Sequence, residues 1–192
     1  NPLALVPVLG RGARDFLKFA AIPSPPAVAG FFQGNWTNLD NTTASARGSI
    51  GNFSYRAEAF TAGSAAIVVT NHTLHLFDAR LARDERYGTA GLIALNFDTQ
   101  RLYLSNIFSI LPPMAVTRMI GPQTAKAVEP YRFIDPPTIR LNGSLDVRES
   151  ETTDMHFEII TERFNWSKFN VARSTSSVHW VTNTLLITNI NA

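Results

Sequence analysis

Strict two-residue alternation is the feature that most constrains how this chain folds. Between Thr138 and Arg148 the apolar residues Ile139, Leu141, Leu145 and Val147 fall on one side, and Arg140, Asn142, Ser144 and Asp146 on the other. Successive strand side chains point to opposite faces, so the pattern predicts a half-buried strand with one dry and one wet face. Met155, Phe157 and Ile159 repeat it against His156 and Glu158, and Phe53, Tyr55, Ala57 and Ala59 repeat it against Ser54, Arg56 and Glu58. Further strands are expected at 65–70, 74–79, 92–97, 101–105, 164–171, 177–181 and 185–188. Thr61 to Ser64, Asp84-Glu85, Asn142-Gly143 and Glu149 to Asp154 have the composition of turns. Short strands separated by turns describe an antiparallel meander with one apolar face.

Two segments depart from this period. Residues 3–22 space Leu5, Val8, Leu9, Phe16, Leu17 and Ala20 at near-helical intervals, broken by Pro7 and Gly10. Residues 113–129 do the same with Met114, Val116, Met119, Ile120, Ala125 and Val128 around Gly121-Pro122. Each predicts a pair of short helices closed by a Pro-Pro that cannot continue a helix. Two such pairs cannot cover the apolar side of so many strands, so the sheet is expected to curl into a groove or half-barrel, sealing itself or holding something apolar.

A shift of 111 residues brings the two ends of the chain into register. Pro2 falls on Pro113, Leu9 on Ile120, Gly10 on Gly121, Pro25-Pro26 on Pro136-Pro137, Phe53 on Phe164 and Tyr55 on Trp166. Matches kept in order over such a span read as divergent duplication. The expectation is therefore a mainly β protein with short helices, in two tandem units: residues 1–111, and residues 112–192 as a truncated second unit. The chain of 192 residues then reads as a piece of a longer one.

Charge and composition exclude several classes. Seventeen Lys and Arg against fifteen Asp and Glu leave a net +2, and the basic residues never form a run, so no nucleic-acid footprint is present. The absence of cysteine removes disulfides, thiolate metal sites and cysteine nucleophiles. No apolar window reaches the roughly 18 residues that suggest a membrane span. No cofactor is called for: Gly10-Arg11-Gly12 lacks the third glycine of a dinucleotide fingerprint, and Gly63-Ser64 and Gly143-Ser144 lack a nucleophile elbow. His72 and His75 are placed on opposite strand faces, and His156 and His179 are expected to stand alone, so no metal site is predicted. Six Asn-x-Ser/Thr sequons, at Asn35, Asn41, Asn52, Asn71, Asn142 and Asn165, are read as chance products of an Asn- and Thr-rich chain.

The helical pair from Met114 to Val128, the segment Tyr131-Arg132-Phe133-Ile134-Asp135-Pro136-Pro137, the alternating strand through Gly143 and the later Thr182-Asn183-Thr184-Leu185 together resemble the C-terminal repeats of bacterial AsmA-like envelope proteins. The segment Leu74 to Leu81, then Arg83-Asp84-Glu85 and Gly88, then Leu102-Tyr103-Leu104-Ser105-Asn106, fits the same pattern. This resemblance implies a non-enzymatic periplasmic or envelope module, anchored in the inner membrane by an N-terminal helix outside this sequence. It implies a hydrophobic β-groove along which phospholipid acyl chains pass, with envelope or outer-membrane assembly proteins as partners. The residues assigned to that groove are Phe53, Tyr55, Ile139, Leu141, Leu145, Val147, Met155, Phe157, Ile159, Phe164, Trp166 and Trp180. The alternative is a structural β-repeat scaffold or surface adhesin with a self-sealed core.

Overall fold

The computed structural model describes residues 18–35, 38–120, 122–146, 152–182 and 184–191. Among them the chain is mainly β. The strands are β1 (Ala20–Ala21), β2 (Ala27–Asn35), β3 (Asn38–Tyr55), β4 (Glu58–Thr70), β5 (Thr73–Arg83), β6 (Arg86–Asn96) and β7 (Arg101–Ser109). Two helices follow, α1 (Pro113–Ile120) and α2 (Pro122–Val128). The remaining strands are β8 (Tyr131–Phe133), β9 (Thr138–Asp146), β10 (Asp154–Thr161), β11 (Phe164–Trp166), β12 (Phe169–Val171), β13 (Ser174–Val181) and β14 (Thr184–Asn191).

Eleven strands form one antiparallel sheet in the order β2-β3-β4-β5-β6-β7-β9-β10-β13-β14, with β1 also on β3. The sheet is a meander and is not closed into a barrel, because β2 pairs only with β3 and β14 only with β13. It runs without a break across residue 111, since β7 pairs directly with β9 while the helices loop out between them. A second, three-stranded sheet has the order β12-β11-β8.

Proline placement explains the helices: Pro113 and Pro122 each occupy a first helical position, where no donor is lost. Helix α1 packs back on the sheet. Leu111, ahead of it, is 4% exposed and would lie 3.2 Å from a Cβ at Gly88. Arg118 reaches Glu58 on β4.

Several local expectations are corrected. Of the helix expected at 3–22, residues 3–17 lie outside the described residues, and Ala20-Ala21 form a strand on Tyr55 and Ser54. Pro23 follows closely, and the Phe19 ring meets the Tyr55 ring edge-on at 6.3 Å, so backbone pairing and packing override two alanines' helical preference. Phe53 to Ala59 is a hairpin, turning at Arg56 and Ala57 with φ of 48° and 66°. Residues 164–171 likewise split into β11 and β12 around Ser167, φ 55°. Thr61 to Ser64 lie inside β4, and Asn142-Gly143 inside β9. Gly143 holds φ 145°, a conformation that favours glycine, and β10 approaches so closely that any Cβ there would strike the Asp154 carbonyl oxygen and come within 2.7 Å of Met155 Cα. The expected turn at Asp84-Glu85 is present between the paired Arg83 and Arg86. Strands β2 and the first half of β3 had no sequence-based expectation.

Strand partners recur at a fixed offset. Ala20↔Tyr55 and Ala21↔Ser54 become Tyr131↔Trp166 and Arg132↔Asn165 when 111 is added to each member. Val28↔Gly48, Ala44↔Val69 and Val69↔Leu74 become Ile139↔Ile159, Met155↔Trp180 and Trp180↔Leu185 by the same shift. Even the irregularity between Ser64 and Ala66 reappears between Thr175 and Ser177.

Candidate functional site

Cross-strand partners share a sheet face, so the register shows which side chains lie side by side. One row runs Gly30, Ala46, Ile67, Leu76, Ile93, Leu104, Gly143, Met155, Trp180, Leu185, crossing ten strands with no polar side chain. At about 4.8 Å per strand the row spans roughly 40 Å. A flanking row is Ala79, Ala90, Ile107, Leu141, Phe157, Val178 and Ile187. On the other flank are Ala44, Val69, Leu74, Leu95, Leu102 and Leu145. Ile139 and Ile159 face each other one step beyond Leu141 and Phe157.

The structure therefore brings seven of the groove candidates together on one face: Ile139, Leu141, Leu145, Met155, Phe157, Ile159 and Trp180. Met155 is 4% exposed, while most other members of the three rows are only half-buried and Leu185 and Ile187 are about half exposed, at 54% and 49%. Cross-strand neighbours shield these side chains laterally, and Leu111 with the start of α1 covers the face near Gly88 and the buried Ala90.

The other candidates lie elsewhere. Phe53 stacks on Phe60 at 5.4 Å, and with the buried Tyr55 forms a cluster at the end of β3 and β4, next to the buried Glu58. There the Glu58 carboxylate accepts hydrogen bonds from Arg83 on β5 at 2.7 Å and from Arg118 on α1 at 3.0 Å. Burial pushes its carboxyl up, but the two guanidiniums more than offset this and hold it below the ordinary glutamate value. Phe164 and Trp166 belong to the smaller sheet, where Phe133 lies 5.7 Å from Phe164, and Tyr131 stacks on Trp166 at 6.2 Å. Val147 lies outside the described residues.

On the opposite face β9, β10 and β13 carry Arg140, Asn142, Glu158, Ser177 and the imidazoles of His156 and His179 around a cavity of about 440 Å³, whereas β4 to β7 carry Val68, Phe77, Leu92 and Tyr103 there. The expectation that these two histidines stand alone is corrected. They are direct partners across β10 and β13, with rings stacked at 3.7 Å. Asp154 Oδ1 lies 2.8 Å from His179 Nε2 and 3.5 Å from His156 Nε2. The hydrogen bond with His179 holds the Asp154 carboxyl below its ordinary value. Only the pairing register could reveal this group, since the intervening β11–β12 hairpin hides the match between residues 156 and 179. His72 sits in the β4–β5 turn, bonded to Asp98 at 2.7 Å, apart from His75 on β5.

Among the described residues no helix is long and apolar enough to cross a membrane. No protein-family model matches the chain, and no curated protein or solved structure matches it.

Proposed function

We propose that this chain is a non-enzymatic module that carries phospholipid acyl chains on the apolar face of its open sheet, as part of an AsmA-like protein of the bacterial periplasm or envelope that serves outer-membrane assembly. The observation that carries the reading is the unbroken ten-strand apolar row and its two flanking rows. An acyl chain needs a dry, continuous strip and no particular polar constellation, each methylene buried on such a strip contributing about 0.8 kcal/mol. Polar groups on the opposite face of β9, β10 and β13 keep that part of the sheet solvated. Anchoring in the inner membrane belongs to a segment outside this sequence, and assembly proteins of the envelope are the partners in this reading.

The same reading takes the chain as one 111-residue unit and most of a second. The common offset of strand partners supports it, because unrelated segments do not share register, bulge and turn positions together. Tandem units lengthen such a strip without altering its chemistry.

Native mass spectrometry of the purified chain tests the lipid reading. Bound phospholipid is expected, and it is lost in Leu141→Asp/Phe157→Asp, whose charges lie on the strip. Circular dichroism of that variant separates loss of binding from loss of fold, and Glu158→Lys on the polar face retains lipid. A lipid-free wild-type chain, or equal lipid on the folded double variant, rejects the proposal.

A further inference from the structure

We propose that Asp154, His156 and His179 form a binding site for a divalent transition metal ion of the zinc type, on the sheet face opposite the apolar rows. Asp154 and His156 are two residues apart on β10 and so share a face, and His179 is the cross-strand partner of His156 on β13. Their three ligating atoms lie within 4.8 Å of one another. Both Nε2 atoms point to the same carboxylate oxygen, at 2.8 and 3.5 Å. An ion seated among them, with bonds of about 2.0–2.2 Å, needs side-chain rotations and no change of backbone. Two imidazoles and one carboxylate suit zinc and its neighbours, whereas magnesium and calcium prefer all-oxygen shells.

The sheet itself does not require this trio. At the positions 111 residues earlier, the same register is built with Thr43, Ser45 and Val68, where Ser45 and Val68 pair as His156 and His179 do. Neighbouring charges leave room for a cation. Arg140 faces Glu158 at 3.9 Å, Arg101 donates to Ser144 at 3.0 Å, and Asn142 Oδ1 already accepts from the Asn106 backbone. The cavity beside the histidines leaves a fourth coordination position to water or an incoming ligand, the arrangement of an open zinc site.

Titration of the EDTA-treated chain with zinc chloride, by calorimetry and by the histidine ring signals in NMR, tests the assignment. One zinc per chain is expected, shifting the His156 and His179 signals and leaving that of His75. Removing even a group that only orients a ligand costs 10–100-fold in affinity, so His156→Ala and His179→Ala each weaken binding at least about tenfold. His75→Ala and His72→Ala leave it unchanged. Absence of zinc binding, undiminished binding in the folded His156→Ala and His179→Ala variants, or equal competition by magnesium chloride would each overturn the assignment.

Discussion

Removing the Glu58 carboxylate tests how α1 is held to the sheet. Glu58 is 8% exposed and ties β4 to β5 through Arg83 and to α1 through Arg118. A hydrogen bond to a charged group contributes about 1.5–3 kcal/mol when well buried. The Arg118 side chain is 57% exposed and that of Arg83 33%, so solvent screening cuts each to well under that range. Together they give about 1–2 kcal/mol for Glu58→Gln at neutral pH. In a chain of this length each kcal/mol moves Tm by about 2–4 °C, so differential scanning calorimetry should show a fall of roughly 2–8 °C. The pH dependence follows from the sign of the shift. The folded-state pKa is lowered from 4.5, so the ionised form is favoured in the folded chain and its contribution is complete above the unfolded value. It is lost as pH falls through the lower folded value. The gap between wild type and Glu58→Gln therefore closes on acidification below pH 4.5. An unchanged Tm at neutral pH, or a gap that widens in acid, would refute the reasoning.

Two turn and strand positions give further tests. Ala57→Gly should raise Tm by a few degrees, because Ala57 has φ 66° and a left-handed conformation costs an L-residue roughly 1–2 kcal/mol, partly offset by glycine's backbone entropy; a lower Tm contradicts this. Gly143→Ala should destabilise by about 3 kcal/mol in urea unfolding, since its Cβ meets the backbone of Asp154 and Met155 at a φ closed to alanine. An unchanged urea midpoint would show that β9 and β10 separate there without cost.

The alternation of β9 and β10 was legible because one face is apolar and the other polar, and a slip of one residue would exchange them. That logic also placed Ile139, Leu141, Met155 and Phe157 on a common face before any pairing was known. It failed where backbone geometry is set by non-glycine residues. Arg56-Ala57 and Asn71-His72 turn with positive φ but carry few of the usual turn signals, and the alternation through Arg56-Ala57 has the pattern of a strand interior. Asn142-Gly143 misled in the opposite sense: its composition marks a hairpin, yet its glycine serves the close approach of β10 within a strand. Phe164 and Trp166 leave the main sheet because strand β10 ends at Thr161, Arg163 bonds Asp135 at 2.8 Å, and pairing passes to β8. The His156–His179 pair depends on long-range register, which local pattern does not encode.

The central claim is that lipid occupies one face of the sheet and not the other. A photo-crosslinking residue placed in turn at Leu74, His75, Leu76, Ile93 and Ala94 of the purified chain, irradiated with radiolabelled phospholipid, tests it residue by residue. Leu74, Leu76 and Ile93 lie on the apolar rows, while His75 and its cross-strand partner Ala94 lie on the opposite face. Labelling at Leu74, Leu76 and Ile93 with none at His75 and Ala94 is the predicted result. Equal labelling at all five positions, or none at any of them, would contradict the account.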